Sequence, residues 1–157
     1  MKPVSFSCVE TLSISGAELA RQILDLTKWP YFTGYAFLPG IKAAEFEVRT
    51  AEIVGSRFRV VNTDGSSHVE EILEWDPDRQ ITMHMKEFSP PLSRLATHFE
   101  ERWVFAPVPE GTKVTRCFRL YAKRLVTWPL LWAISIFLQK AIARNLKQMR
   151  EGMPPAG

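Results

Sequence analysis

The sequence is poor in the features that announce a particular chemistry. It has two cysteines, Cys8 and Cys117, far apart and in no Cys-x-x-Cys arrangement. Neither a disulfide framework nor a thiolate metal site is expected, and a reduced, cytoplasmic setting is the default. Its three histidines, His68, His84 and His98, fall on different predicted strands at no zinc-ligand spacing, so no metal and no cofactor is expected. There is no glycine-rich phosphate loop, no Gly-x-Ser-x-Gly elbow and no His-Glu-x-x-His, which removes the commonest signatures of nucleotide, hydrolase and metalloprotease chemistry. The net charge is only +3 over 157 residues, too mild to point to nucleic acid. The first strand-like segment alternates and carries Glu10, so it is not expected to be a signal peptide. The most apolar stretch, Val126 to Leu138, is 13 residues interrupted by Thr127 and Ser135. A membrane-spanning helix needs about 20, so a soluble or interfacial helix is predicted there.

What remains is an ordinary globular balance, 46% hydrophobic and 24% charged, in a chain of single-domain length. Alternation predicts seven strands, at 5–12, 41–49, 56–63, 68–75, 80–88, 97–108 and 112–122. Ser15 followed by Glu18 reads as a capping box that starts a helix over 15–26. Pro30 and Gly34 confine "KWPYFTGY" to a turn or a short second helix. Thr127 is the expected cap of a long helix reaching Met149, with Pro129 in its first turn. Residues 1–150 are read as one domain and 151–157 as a disordered tail. Six strands in succession make an antiparallel meander with one apolar face to cover. Only the last helix is long and apolar enough to cover it. The expected fold is therefore α+β, a curved seven-stranded sheet gripping a long C-terminal helix.

Several ordered segments carry a family resemblance: "SISGAELARQILDLTKWPYF", "VGSRFRV" with the following "DG", "EILEWDPDRQI", "ERWVFAPVPEGTKVTRCFRL", and the Pro-Leu-Leu that begins the last helix. Together they resemble the START-like, birch-pollen-allergen-like (SRPBCC) superfamily, and within it the polyketide cyclase/dehydrase-like branch. The resemblance spans nearly the whole chain. It implies a helix-grip fold with a cavity between sheet and helix for a hydrophobic ligand. Members include lipid and sterol carriers, quinone-binding proteins and polyketide aromatase/cyclases. It implies no shared catalytic motif that could be placed on numbered positions here.

Strand parity indicates which side chains face that helix. Phe99, Glu101, Trp103 and Phe105 share one face, and Val114, Arg116, Phe118 and Leu120 share another. The Pro109-Glu110 turn pairs Phe105 with Val114, Trp103 with Arg116 and Glu101 with Phe118. Glu101 and Arg116 then become diagonal neighbours, about 7–8 Å apart at Cα, on an otherwise apolar face. An unpaired charge there is costly. The pair is therefore either an internal ion pair or the polar anchor of an apolar pocket, and a desolvated Glu101 could serve as a general acid or base. Met83 and Met85 with Ile81, Phe58 with Val60, and Glu71 with Val69, Leu73 and Trp75 are predicted to face inward. Phe32, Tyr35, Phe37, Phe88 and Leu92 are read as the pocket mouth. His68, His84 and His98 are placed on the solvated face.

On the last helix, Leu131, Leu138, Ile142 and Met149 point one way with Ser135 and Asn145 beside them, while Lys140, Arg144 and Lys147 point the other. Upstream the outer side becomes Trp132, Ala133, Ile136 and Phe137, which needs a cover: mouth loops, a homodimer, or weak contact with a membrane. The leading expectation is a hydrophobic small-molecule (lipid, polyketide, aromatic or isoprenoid) binding protein. The alternatives are a cyclase or dehydratase using Glu101, and an interaction module using the apolar helix patch.

Overall fold

The computed structural model describes residues 1–152. The predicted tail lies outside them from residue 153 onward, and Glu151 and Gly152 form a turn. The elements are β1 (Val4–Leu12), α1 (Gly16–Leu24), a 3₁₀ turn (Leu26–Tyr31), β2 (Ile41–Val48), β3 (Arg57–Asn62), β4 (Ser67–Asp76), β5 (Gln80–Lys86), β6 (Ala96–Val108), β7 (Gly111–Ala122) and α2 (Trp128–Arg150). They form one seven-stranded sheet in the order β1-β7-β6-β5-β4-β3-β2. The meander from β2 to β7 is antiparallel throughout, and β1 adds antiparallel to β7. The predicted pairings Phe105–Val114, Trp103–Arg116 and Glu101–Phe118 all occur. At the β6–β7 turn, Gly111 has φ +142°, and a Cβ there would lie 2.1 Å from the Leu12 carbonyl oxygen. Only glycine lets β1 approach this turn.

The helix α2 lies alongside β1 in the same direction. Trp128 Nε1 donates to the Lys2 carbonyl at 3.0 Å, the Cys8 thiol donates to the Gln139 carbonyl at 3.5 Å, and Arg150 meets Glu10 at 3.1 Å. Its buried residues are Leu131, Ser135, Leu138, Ala141, Ile142, Asn145 and Leu146. Of these, Leu131, Leu138, Ile142 and Leu146 share a core with Phe99, Trp103, Phe105, Val114, Phe118 and Leu120 from the sheet's inner face. Measured as the 26-residue segment Leu125–Arg150, the helix does have the length and mean hydropathy, 1.5, of a membrane span. The 13-residue run underestimates it because Ala141 and Ile142 continue the apolar content beyond Lys140. Here Leu131, Leu138, Ile142 and Leu146 of its inward stripe belong to the core shared with the sheet.

Local signals need three corrections. Ser15 Oγ accepts the Glu18 N–H at 3.1 Å, but the Glu18 carboxylate pairs with Arg21, so only half of the capping box forms. Thr127 does not cap α2. A 3₁₀ turn over Leu125–Thr127 precedes the helix, and the Thr127 hydroxyl donates to the Leu95 carbonyl at 2.9 Å. The third correction affects the site. In β4 a register shift between Ile72 and Glu74 inserts one residue: Ile72 pairs with Met83, whereas Glu74 pairs with Thr82 and Trp75 with Ile81. Such a bulge reverses parity on one side of it. Trp75 stays on the inner face as predicted, but upstream the inner residues are Ile72, Glu70 and His68. Glu71 is on the outer face, where it pairs with Lys86 at 2.6 Å and Arg57 at 3.4 Å.

Candidate functional site

A cavity of about 450 Å³ separates α2 from the sheet. Its floor is the inner face of β5, β6 and β7: Met83, Met85, Phe99, Trp103 and Phe118. Its roof is α2, through Ile134, Phe137, Leu138, Ile142, Asn145 and Met149. Phe32, Phe37, Leu38, Phe88 and Leu92 from two loops complete its lining. Volumes of this size hold small molecules, and a mostly apolar wall with a few convergent polar groups is the usual composition of such sites.

The polar groups at the centre come from three elements. Arg116 Nε donates to Glu101 Oε2 at 2.6 Å, its Nη2 lies 2.5 Å from the same oxygen, and its Nη1 donates to Asn145 Oδ1 at 2.9 Å. The Arg116 Cζ lies 4.0 Å from the centre of the Trp103 ring, a cation–π contact that holds it against the floor. Glu101 is 2% exposed, Arg116 6% and Asn145 8%. A guanidinium has five N–H donors, and these contacts use three. The Trp103 indole N–H is buried and has no hydrogen-bond partner in the protein. The site therefore offers unused donors beside a carboxyl group.

Burial raises the Glu101 carboxyl above its ordinary range. Arg116 pulls it back, Glu70 pushes it further up, and the nearby Trp103 N–H opposes it weakly without reaching hydrogen-bond geometry. A carboxyl raised on folding contributes stability that is whole below its unfolded value of about 4.3 and is lost as pH rises through its native value. Urea unfolding of the native protein and of Glu101→Gln at stepped pH is expected to differ in slope across that window, the native protein alone losing this increment. Parallel curves would show that burial does not shift Glu101. Burial likewise raises the Cys8 thiol, against a smaller opposing pull from Arg116, which suits an inert packed thiol rather than a nucleophile.

Of the residues singled out from sequence, Glu101, Arg116, Trp103, Phe99, Met83, Met85, Phe118, Leu138, Ile142, Phe32 and Phe88 line the cavity. Five do not. Glu71 is outside, as the bulge dictates. Phe58 is fully buried behind the rings of Trp29 and Phe46, at 5.0 and 4.9 Å, and Trp29 lines the wall in its place. Leu131 is fully buried in the core, at the start of α2, where Trp128 anchors the helix to the head of β1. The Ser135 hydroxyl is turned back to the Trp132 carbonyl at 2.5 Å. Tyr35 pairs with Leu38 in a small bridge and lies under Lys140, 5.4 Å from its ring centre.

Sequence reasoning missed Trp29, Glu70 and His68 as wall residues. The last two follow once the bulge is known: His68 Nε2 lies 2.9 Å from Glu70 Oε2, and Glu70 is 5% exposed. His84 and His98 are on the outer face as expected, their rings 4.9 Å apart beside Glu100. Among the described residues no His/Cys/Asp/Glu cluster suits a metal. The mouth loop covers Phe137 through Phe37, with ring centres 4.4 Å apart. It leaves Trp132 and Ile136 exposed.

A family model described as "Polyketide cyclase / dehydrase and lipid transport" matches residues 3–153. No curated protein matches the sequence. Among solved structures, a START superfamily protein from Mycobacterium smegmatis superposes with a TM-score of 0.71 at 15% identity, covering 96% of this chain and 99% of its own. Ginseng major latex-like protein 151 from Panax ginseng gives 0.68 at 15% identity, covering 99% and 100%. The di-domain ARO/CYC StfQ from the steffimycin biosynthetic pathway gives 0.70 at 16%, covering 97% of this chain and 51% of StfQ. At these identities the likeness is one of fold: the seven-stranded sheet wrapped on a long C-terminal helix.

Proposed function

The chain belongs to the polyketide cyclase / dehydrase and lipid transport family, and from that premise we propose that it binds one hydrophobic small molecule, anchored by a polar oxygen, between the sheet and α2. The observation that carries this reading is the cavity of about 450 Å³ with buried, partly unused donors at its centre. Apolar walls supply affinity through area removed from water, about 25 cal/mol per Å². The spare N–H groups of Arg116 supply orientation, because an oxygen acceptor placed there satisfies donors that the protein leaves open. Glu101 keeps the guanidinium in place and compensates its charge. Native mass spectrometry of freshly purified protein is expected to show a second species heavier by one apolar small molecule, which organic extraction removes. A single species of bare-chain mass that also fails to take up added pyrene would count against the proposal.

One observation favours a second reading. A carboxyl group raised by burial is suited to donating or accepting a proton at a bound carbonyl compound, which is the need of a cyclase or dehydratase. In that case Glu101→Gln abolishes turnover of the substrate while leaving its affinity intact. For a carrier, the same substitution leaves no turnover to lose.

A further inference from the structure

The cavity contains a second polar pair that the Arg116 anchor does not use. His68 and Glu70 stand two residues apart on the inner face of β4, joined by the 2.9 Å contact between Nε2 and Oε2. Both line the cavity, and their side chains are 12% and 6% exposed. Glu70 pairs with Met85, which pairs with Phe99, while Glu101 pairs with Met83. Glu70 therefore sits two strands from Glu101, roughly 10 Å in the pairing direction, and three strands from Arg116 on β7, each also offset along the strand, across a floor of methionine and phenylalanine. Phe88 walls the outer pair: its ring is 6.0 Å from His68 and 4.8 Å from Phe99.

The two sets have opposite hydrogen-bonding character. A carboxylate bound at Nε2 keeps the imidazole proton on that nitrogen and leaves Nδ1 as a lone-pair acceptor. Nε2 is the His68 ring atom with a protein hydrogen-bond partner among the described residues. The inner set offers donors from Arg116; the outer set offers an acceptor from His68, oriented by Glu70. An apolar molecule with one oxygen at each end satisfies both only if the outer oxygen carries a proton.

We propose that His68, held by Glu70, is a hydroxyl-binding site, so that the ligand is an apolar ring system bearing a phenol or alcohol at its outer end and an oxygen acceptor at its inner end. This rests on the reading that the cavity holds a hydrophobic molecule. His68 would touch the ligand; Glu70 is a positioning residue that sets the tautomer. The geometry gives selectivity for hydroxyl over ether, since methylation removes the proton that Nδ1 accepts.

The test uses the full chain and three fluorescent probes: pyrene, 1-hydroxypyrene and 1-methoxypyrene. One hydrogen bond at a buried acceptor corresponds to about a tenfold preference for 1-hydroxypyrene over 1-methoxypyrene. His68→Phe is expected to bring that ratio close to one, with pyrene affinity measured alongside as the reference for any change in the cavity itself. His68→Leu, whose side chain has neither donor nor acceptor, is expected to do the same and serves if phenylalanine disturbs folding. Glu101→Gln is expected to retain the preference. A ratio near one in the native protein overturns the proposal. So does a ratio that survives both His68 substitutions, or one abolished by Glu101→Gln but by neither of them. If pyrene itself is not bound, the cavity reading fails, and the hydroxyl site fails with it.

Discussion

Met85→Trp is expected to weaken pyrene binding by at least about 100-fold, or ~2.7 kcal/mol, without unfolding the protein. Met85 lies on the cavity floor between Glu70 and Phe99, its strand neighbours. An indole there takes up part of the about 450 Å³ that a ligand would occupy. In a solidly packed interior such an insertion costs about 1–3 kcal/mol, because neighbours must leave their rotamers. Beside an open cavity the new ring has somewhere to go, so stability is expected to hold within ~1 kcal/mol of the native protein. Pyrene titration and urea unfolding of the same preparation separate the two outcomes. Lost stability with retained binding would mean that the space is filled by the protein's own side chains and that pyrene binds elsewhere.

Arg116→Met is expected to destabilise the protein by about 3–5 kcal/mol near pH 8, because it leaves the carboxylate of Glu101, 2% exposed, without its partner. For a domain of this size that corresponds to a fall in Tm of roughly 2–4 °C per kcal/mol. The loss is expected to shrink toward about pH 5. Without Arg116 the Glu101 carboxyl is raised still further, and a protonated acid is far less costly to bury. The double substitution Glu101→Leu with Arg116→Met is expected to recover most of the loss, since a buried ion pair replaced by apolar groups is often neutral or stabilising. Recovery need not be complete, as Asn145 Oδ1 loses the Nη1 donor it accepts from. Thermal unfolding of the three variants at both pH values checks the set. A loss under ~1 kcal/mol for Arg116→Met would place Glu101 in water rather than in the core.

Much of this was legible in the chain. The register of β6 on β7 follows from alternation and one tight turn, so the Glu101–Arg116 diagonal could be read before any coordinates. The helical stripe of Leu138, Ile142 and Asn145 follows from a period of 3.6. The same rule fails on β4 for a physical reason. In "HVEEILEW" the apolar residues Val69, Leu73 and Trp75 share one parity, and Ile72 alone represents the other. The pattern favours the face that includes Glu71, and no glycine or proline marks the bulge before Glu74. Packing against Met83 and Met85 decides the matter, and it places Ile72 and Glu70 inward. Trp29 escaped notice because it lies in a 3₁₀ turn, where neither period applies, and Phe58 behind it took its place in the reading. Thr127 was a sound cap by residue type, but its hydroxyl is claimed by the Leu95 carbonyl.

The central claim is that the space between α2 and the inner face of the sheet is open and accepts an apolar molecule beside Arg116 and Glu101. A crystal structure of the protein grown with pyrene tests it most directly. The predicted result is flat ring density between Met83, Met85 and Phe99 on one side and Leu138 and Ile142 on the other, with the Arg116–Glu101–Asn145 contacts intact. Side chains of the protein filling that space, with pyrene absent or on the surface, would contradict it.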